Sequence, residues 1–184
     1  MKAIDALKIW ILLMPTLITA SVADIPKPRI GVGVLVIKEG KILLGKRKGA
    51  HGSGYYAPPG GNLEFKETVE ACAIRELAEE TGLKPLSLRL GPWTQDLIEE
   101  QKHYISLFVI IPEFEGEPQL LEPQKCDGWD WYAWDHLPSP LFQPLTSLIE
   151  SVGLESLKEV ETRCVLPVTY PAQESRLVST TVLE

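Results

Sequence analysis

Apolar residues crowd positions 30–38 and return along 41–47, with Glu39-Gly40 between the two runs. Short apolar runs bounded by turn residues read as strands, and a two-residue connection makes them a hairpin. Residues 48–54 are glycine-rich and basic and read as a loop. Residues 66–81 read as a helix that Gly82 closes. Two more strands are predicted at 86–94 and 103–112. The second is nearly all apolar, which places it at the centre of a sheet. The polar, acidic stretch 95–102 reads as the loop between them, and 116–128 as another loop. Residues 129–134 alternate apolar and polar, as a half-buried strand does. A closing helix is predicted at 141–154, with Pro144 near its start. From about residue 161 periodicity fades, and no internal repeat is visible. A chain of 184 residues suits one domain with a sizeable core.

The predicted helix at 66–81 contains an electrostatic conflict. Glu76, Glu79 and Glu80 fall three and four positions apart, so they share one helix edge and repel. A solvated acidic face is one reading of such a run. The other is a site for a hard divalent cation such as Mg²⁺, which takes oxygen ligands and keeps several waters. Pro58-Pro59-Gly60-Gly61 stands upstream. The prolines stop a preceding strand, and the glycines allow close backbone approach to a ligand. Arg75 cannot bind a cation, and pairing with Glu67 would hold the loop against the helix.

Taken together, residues 61–83 resemble the signature of the Nudix (MutT-type) hydrolases, G-x5-E-x7-R-E-U-x-E-E-x-G-U with U aliphatic, and every specified position matches. The resemblance implies an α/β/α sandwich with a mixed β-sheet and a catalytic loop-helix. It implies hydrolysis of a nucleoside diphosphate linked to another group, dependent on Mg²⁺ or on Mn²⁺ in its place. Carried over, Glu76 and Glu80 are direct metal ligands, and Glu79 is a ligand or polarises the attacking water. The Gly60 carbonyl completes the metal site, Gly60 and Gly61 border the substrate, and Glu67 and Arg75 support the loop. Outside the signature, Gly31-Val32-Gly33, Lys46-Arg47-Lys48, His103-Tyr104 and Glu122-Pro123-Gln124-Lys125-Cys126 resemble a narrower subgroup. It includes the plant cytosolic Nudix hydrolase type 1 and the animal nucleotide triphosphate diphosphatase type 15. Those relatives convert nucleoside triphosphates, some oxidised such as 8-oxo-dGTP, to the monophosphate and pyrophosphate, and some plant members act on a terpenyl diphosphate. Pro58 departs from the usual Leu before Pro-Gly-Gly, which bears on the loop shape.

Substrate contacts are expected from Arg47, with Lys46 second, because a guanidinium suits bidentate phosphate binding. Glu122 precedes the tryptophan strand where relatives place an additional catalytic or metal-binding Glu; Glu99 and Glu100 compete for that role. His103 is expected near the base. Tyr56, Trp131, Leu137 and Phe142 either form an apolar slot for it or pack in the core. A net charge of −7 argues against a nucleic-acid backbone as partner, while a small nucleotide remains compatible because bound metal inverts the local sign. The three cysteines form no C-x-x-C pair, which leaves neither a disulfide framework nor a zinc site, and Cys72 reads as a small buried residue. Relatives form homodimers, so a homodimer is implied.

Three segments are expected: an N-terminal extension at 1–28, the hydrolase domain at 29–155 and a tail at 156–184. Lys2 and Lys8 before the apolar run 9–17, then Ser21-Val22-Ala23, have the shape of a secretory leader. Translation from Met14 would instead leave only a short lead-in. The nucleotide substrate favours the second reading and a cytoplasmic enzyme, without stable membrane association.

Overall fold

The first hairpin forms where the apolar runs place it. In a computed structural model, β1 (Arg29–Lys38) and β2 (Lys41–Arg47) pair antiparallel through Ile37↔Ile42 and Lys38↔Lys41. Glu39 (φ 52°) and Gly40 (φ 70°) both adopt the left-handed conformation, and that two-residue turn matches the twist of the flanking strands. The structure describes residues 27–49, 52–98, 102–159 and 166–167. Both N-terminal readings, Glu99 and Glu100, Cys164 and most of the tail lie outside these residues.

Two short strands follow, β3 (Tyr56–Ala57) on β2 and β4 (Gly60–Asn62) on β1. The second Pro-Gly-Gly half is therefore paired backbone rather than free loop. The helix α1 runs Val69–Thr81, three residues shorter than predicted. Lys66 sits at φ 69°, which no helix continues through, and Thr68 caps the start by accepting from the Ala71 amide at 3.1 Å. Gly82 ends the helix in the left-handed conformation, its amide donating to the Ala78 carbonyl.

β5 (Lys84–Ile98) and β6 (Lys102–Glu115) form a long antiparallel pair. β6 also pairs in parallel with β1, so it is central, as its apolar run predicts. The 95–102 loop is mostly absent: the strands extend through it to Ile98 and from Lys102. The sequence hides this because the alternation is inverted there. Thr94 and Asp96 are buried while Trp93 is 62% exposed and Leu97 lies outside. Asp96 tolerates burial because both its oxygens accept hydroxyl hydrogen bonds, from Thr94 Oγ1 at 2.8 Å and Ser147 Oγ at 2.5 Å. β7 (Cys126–Ala133) joins β2, starting three residues before the predicted strand, and β8 (Leu166–Pro167) joins β5.

Period-two alternation then sends side chains to opposite faces. Val32, Val34, Val36, Val109 and Ile111 pack with Cys72, Ala73 and Leu77 of α1. Leu35, Ile37, Phe108 and Ile110 pack with α2 (Gln143–Val152) and α3 (Leu154–Lys158) through Leu145, Leu148 and Leu157. Helices cover both faces of a mixed sheet, the α/β/α sandwich. Gly153 (φ 83°) splits the predicted closing helix in two. Leu157 is fully buried, so the core continues past the boundary expected at 155. Among the described residues no helix is long and apolar enough to cross a membrane.

Candidate active site

α1 delivers its carboxylates to the turn between β3 and β4. Glu76 is buried, Glu80 half-buried and Glu79 exposed. A Cβ at Gly61 would meet the Glu76 carboxylate and displace it. A Cβ at Gly60 would strike the Val32 carbonyl, and its φ of 151° suits only glycine. The Gly60 amide instead donates to Glu80 Oε2 at 3.0 Å. The C-terminal end of α1 is pinned from outside: Trp129 Nε1 and the Leu121 amide donate to the Glu80 carbonyl, and the Gln119 amide to that of Thr81.

Arg75 organises the edge of this arrangement. Its Nε and Nη2 meet the two Glu67 oxygens at 2.8 and 2.9 Å, and its Nη1 meets Glu76 Oε1 at 2.7 Å and Glu79 Oε2 at 3.4 Å. The paired guanidinium holds the Glu67 carboxyl down to about 2. Glu80 behaves oppositely. Burial pushes its carboxyl up to about 7, against the Gly60 hydrogen bond, and the neighbouring charges of Glu76 and Glu122 add to the rise. Burial likewise pushes the Cys72 thiol up to about 12, which leaves it protonated and unsuited to nucleophilic attack.

Two cavities meet at this edge. The first, about 220 Å³, is polar and lined by Glu76, Glu80, Gly60, Gly61, Asn62, Arg47, Lys48 and Lys125. The second, about 200 Å³, is mainly apolar and lies on the α2 face of β1 and β6. Gly31 opens it by leaving no side chain opposite its register partner Ser106, and Gly33 lets the Phe108 ring pack across the strand. Ala57, Phe142, Pro144 and Leu145 close its far wall. Arg47, Gly60, Gly61 and Asn62 line both. The Arg47 guanidinium lies 4.5 Å from the centre of the Phe142 ring. Its pKa is lowered by burial, a loss that the Glu80 charge partly offsets.

Most of the residues singled out from sequence gather here: Glu76, Glu80, Gly60, Gly61 and Arg47 line the polar cavity and Glu67 and Arg75 brace it, while Glu79 is exposed, lines neither cavity and reaches the site only through Arg75. Glu122 comes within electrostatic range of Glu80, its Oε2 bound by Lys125 Nζ at 2.8 Å. Others fall elsewhere. His103 points to the α1 side of β6, opposite the cleft, because the cleft takes Lys102, Tyr104, Ser106 and Phe108 at alternate positions. Of the four aromatic and aliphatic candidates only Phe142 lines the cleft. Trp131 stacks on Phe114, Tyr56 meets Tyr132 edge-on, and Leu137 packs against the α2 core, so these three serve packing. Lys46 is exposed and lines neither cavity. Tyr104, Ser106, Lys48 and Lys125 were not expected. Counting β6 by twos from Phe108, and noticing glycines at alternate positions of β1, would have found the first pair.

Among the described residues no three carboxylate, imidazole or thiol groups are already gathered around a metal position. Each carboxylate is engaged by a protein donor instead. The donor set nevertheless fits a hard cation: oxygen ligands only, with half-buried Glu80 facing the charges of Glu76 and Glu122.

The NUDIX domain family model matches residues 27–151. The chain is 40% identical over 116 residues to an ADP-ribose pyrophosphatase of Methanocaldococcus jannaschii, covering 62% of this chain and 68% of that one. It is 31% identical over 119 residues to the 8-oxo-dGTP diphosphatase of Escherichia coli K12, covering 64% and 89%. The crystal structure of a MutT NUDIX hydrolase from Burkholderia pseudomallei superposes with a TM-score of 0.64 at 32% identity, covering 71% of this chain and 98% of the other. With the signature folded into one loop-helix and the fold shared, the chain belongs to the Nudix family, as a MutT-type hydrolase of phosphoanhydride bonds.

Proposed function

We propose that the protein hydrolyses nucleoside triphosphates, oxidised purine forms such as 8-oxo-dGTP included, to the monophosphate and pyrophosphate with Mg²⁺ as cofactor. The observation that carries this reading is the continuity of the two cavities. An apolar cleft for a base and sugar opens directly into a polar one that holds carboxylates and cations, with Arg47 at their junction. Glu76, Glu80 and the Gly60 carbonyl would hold the cation, with Glu79 or Glu122 beside it. Held there, a hard cation would supply positive charge to offset that of the phosphoryl oxygens and would make the attacking water more acidic. Arg47 binds a phosphate and, held against Phe142, keeps it in line with the cleft. Arg75 holds Glu76 and Glu67 so that the loop carrying Gly60 keeps its place. Water adds to phosphorus, the α–β anhydride bond breaks with pyrophosphate leaving, and Glu79 or Glu122 takes the water's proton.

A second reading is supported by the Methanocaldococcus relative, whose name places its activity on ADP-ribose. One substrate panel separates the two. Purified protein with Mg²⁺ is offered dNTPs, 8-oxo-dGTP, ADP-ribose and a terpenyl diphosphate, and pyrophosphate is quantified against phosphate and nucleoside monophosphate. Pyrophosphate from several triphosphates, abolished by EDTA, supports the proposal. Turnover of ADP-ribose alone would transfer it to the second reading.

A further inference from the structure

Lys125 lies outside the signature, and nothing above gives it a role, yet it lines the same cavity as Glu76 and Glu80. Its backbone is fixed. The Lys125 and Cys126 amides both donate to the Glu122 carbonyl, at 2.9 and 3.2 Å, which closes a turn. The Lys48 amide donates to the Lys125 carbonyl at 2.7 Å, tying that turn to the end of β2. Lys48 Nζ adds bonds to the Pro123 carbonyl at 3.1 Å and to Asp127 at 2.8 Å. The turn therefore stands at the rim of the carboxylate cavity on a rigid base. The side chain is not rigid in the same way: it is 58% exposed, and among the described residues its ion pair is to Glu122 Oε2 at 2.8 Å. Glu122 is only 22% exposed and its Oε2 is buried, so the lysine, whose end of the pair is open to water, is the partner that can exchange. The charges of Glu80 and Glu76 also reach the ammonium. A lysine ammonium has three donors on a flexible stem, and phosphate oxygens outcompete one carboxylate for them once a cation has neutralised the carboxylates nearby.

We propose that Lys125 is a phosphate-binding residue of this site, held at the rim by Glu122 until the substrate's polyphosphate takes over its ammonium. The exchange leaves Glu122 free to turn toward the cation or the attacking water as the polyphosphate arrives. The inference rests on the hydrolase reading above and adds a residue to it.

The test measures binding separately from turnover. Wild-type protein, Lys125→Met and Lys125→Arg are titrated calorimetrically with an α,β-methylene nucleoside triphosphate in Mg²⁺ at low and high salt, and KM and kcat are measured in parallel. Loss of one charge-assisted phosphate contact is expected to weaken analogue affinity and raise KM about tenfold in Lys125→Met, with a smaller change in kcat. The salt dependence of binding becomes shallower, because one charge no longer contributes. Lys125→Arg recovers most of the affinity, which a merely structural role for the lysine does not predict. Matching melting temperatures confirm that the variants are folded; if Lys125→Met fails to fold, Lys125→Gln takes its place. Wild-type turnover of triphosphates together with unchanged analogue affinity in Lys125→Met overturns the inference and leaves the hydrolase reading intact. A wild-type protein that neither binds nor cleaves any triphosphate sinks both.

Discussion

Glu80 lets the metal site be tested without measuring catalysis. Burial beside Glu76 and Glu122 pushes its carboxyl up to about 7 in the metal-free fold, whereas in the unfolded chain it titrates near 4.3. A carboxylate whose pKa is raised by folding favours the folded state at low pH, and that advantage is lost as pH climbs between the two values. Ionising it in both states opposes folding by about 4 kcal/mol at pH 8, while at pH 5.5 only about 2 kcal/mol of that has developed. The cation-free protein should therefore lose about 2 kcal/mol of stability from pH 5.5 to pH 8 through this one group. Glu67, held down near 2, stabilises fully throughout that window, and Cys72, pushed up to about 12, comes into play only above it. The assay is urea unfolding with EDTA, followed by the fluorescence of the five tryptophans, at the two pH values. Glu80→Gln still accepts from the Gly60 amide but carries no charge, so its stability should change little between the two pH values. Saturating Mg²⁺ should remove the wild-type loss by binding the ionised carboxylate. The reasoning is refuted if wild type and Glu80→Gln lose the same stability over that interval, or if Mg²⁺ leaves the wild-type difference unchanged.

Three further outcomes are expected. Arg75→Lys keeps the charge but forfeits the two-pronged grip on Glu67 and the bond to Glu76; kcat should fall at least tenfold and stability by about 1–2 kcal/mol, read by steady-state kinetics and urea midpoint. Gly60→Ala drives a Cβ into the Val32 carbonyl at an unfavourable φ; a destabilisation of at least about 2 kcal/mol with loss of activity should appear in melts and turnover, and a stable, active variant would contradict the geometry. Asp96→Ala leaves the Thr94 and Ser147 hydroxyls without their acceptor between β5 and α2; stability should drop by about 1–3 kcal/mol by thermal melting, while Mg²⁺ affinity stays near wild type.

Local features made much of this molecule legible. The hairpin turn, the central strand, the left-handed glycine after α1 and the spacing of Glu76, Glu79 and Glu80 each follow from residues close in sequence, where a few positions decide the geometry. Legibility failed where one face of an element contradicted its polarity. Asp96 and Thr94 are buried in β5 while Trp93 and Leu97 point outward, so alternation alone read a loop. His103 misled for a related reason: it neighbours the cleft in sequence, yet strand pleat sends it to the other side and leaves Tyr104 facing the cleft.

The sequence by itself determined the signature loop-helix, the pairing of Arg75 with Glu67 and the kind of chemistry, because that motif is contiguous and its spacing sets which side chains share a helix edge. Only the tertiary structure decided how Glu80 is buried against Gly60, how Arg47 comes to rest on Phe142, and how the turn carrying Glu122 and Lys125 meets the carboxylates of α1. Those contacts join segments 20 to 95 residues apart, and their geometry is set by how two sheet faces pack against helices, which no local spacing encodes.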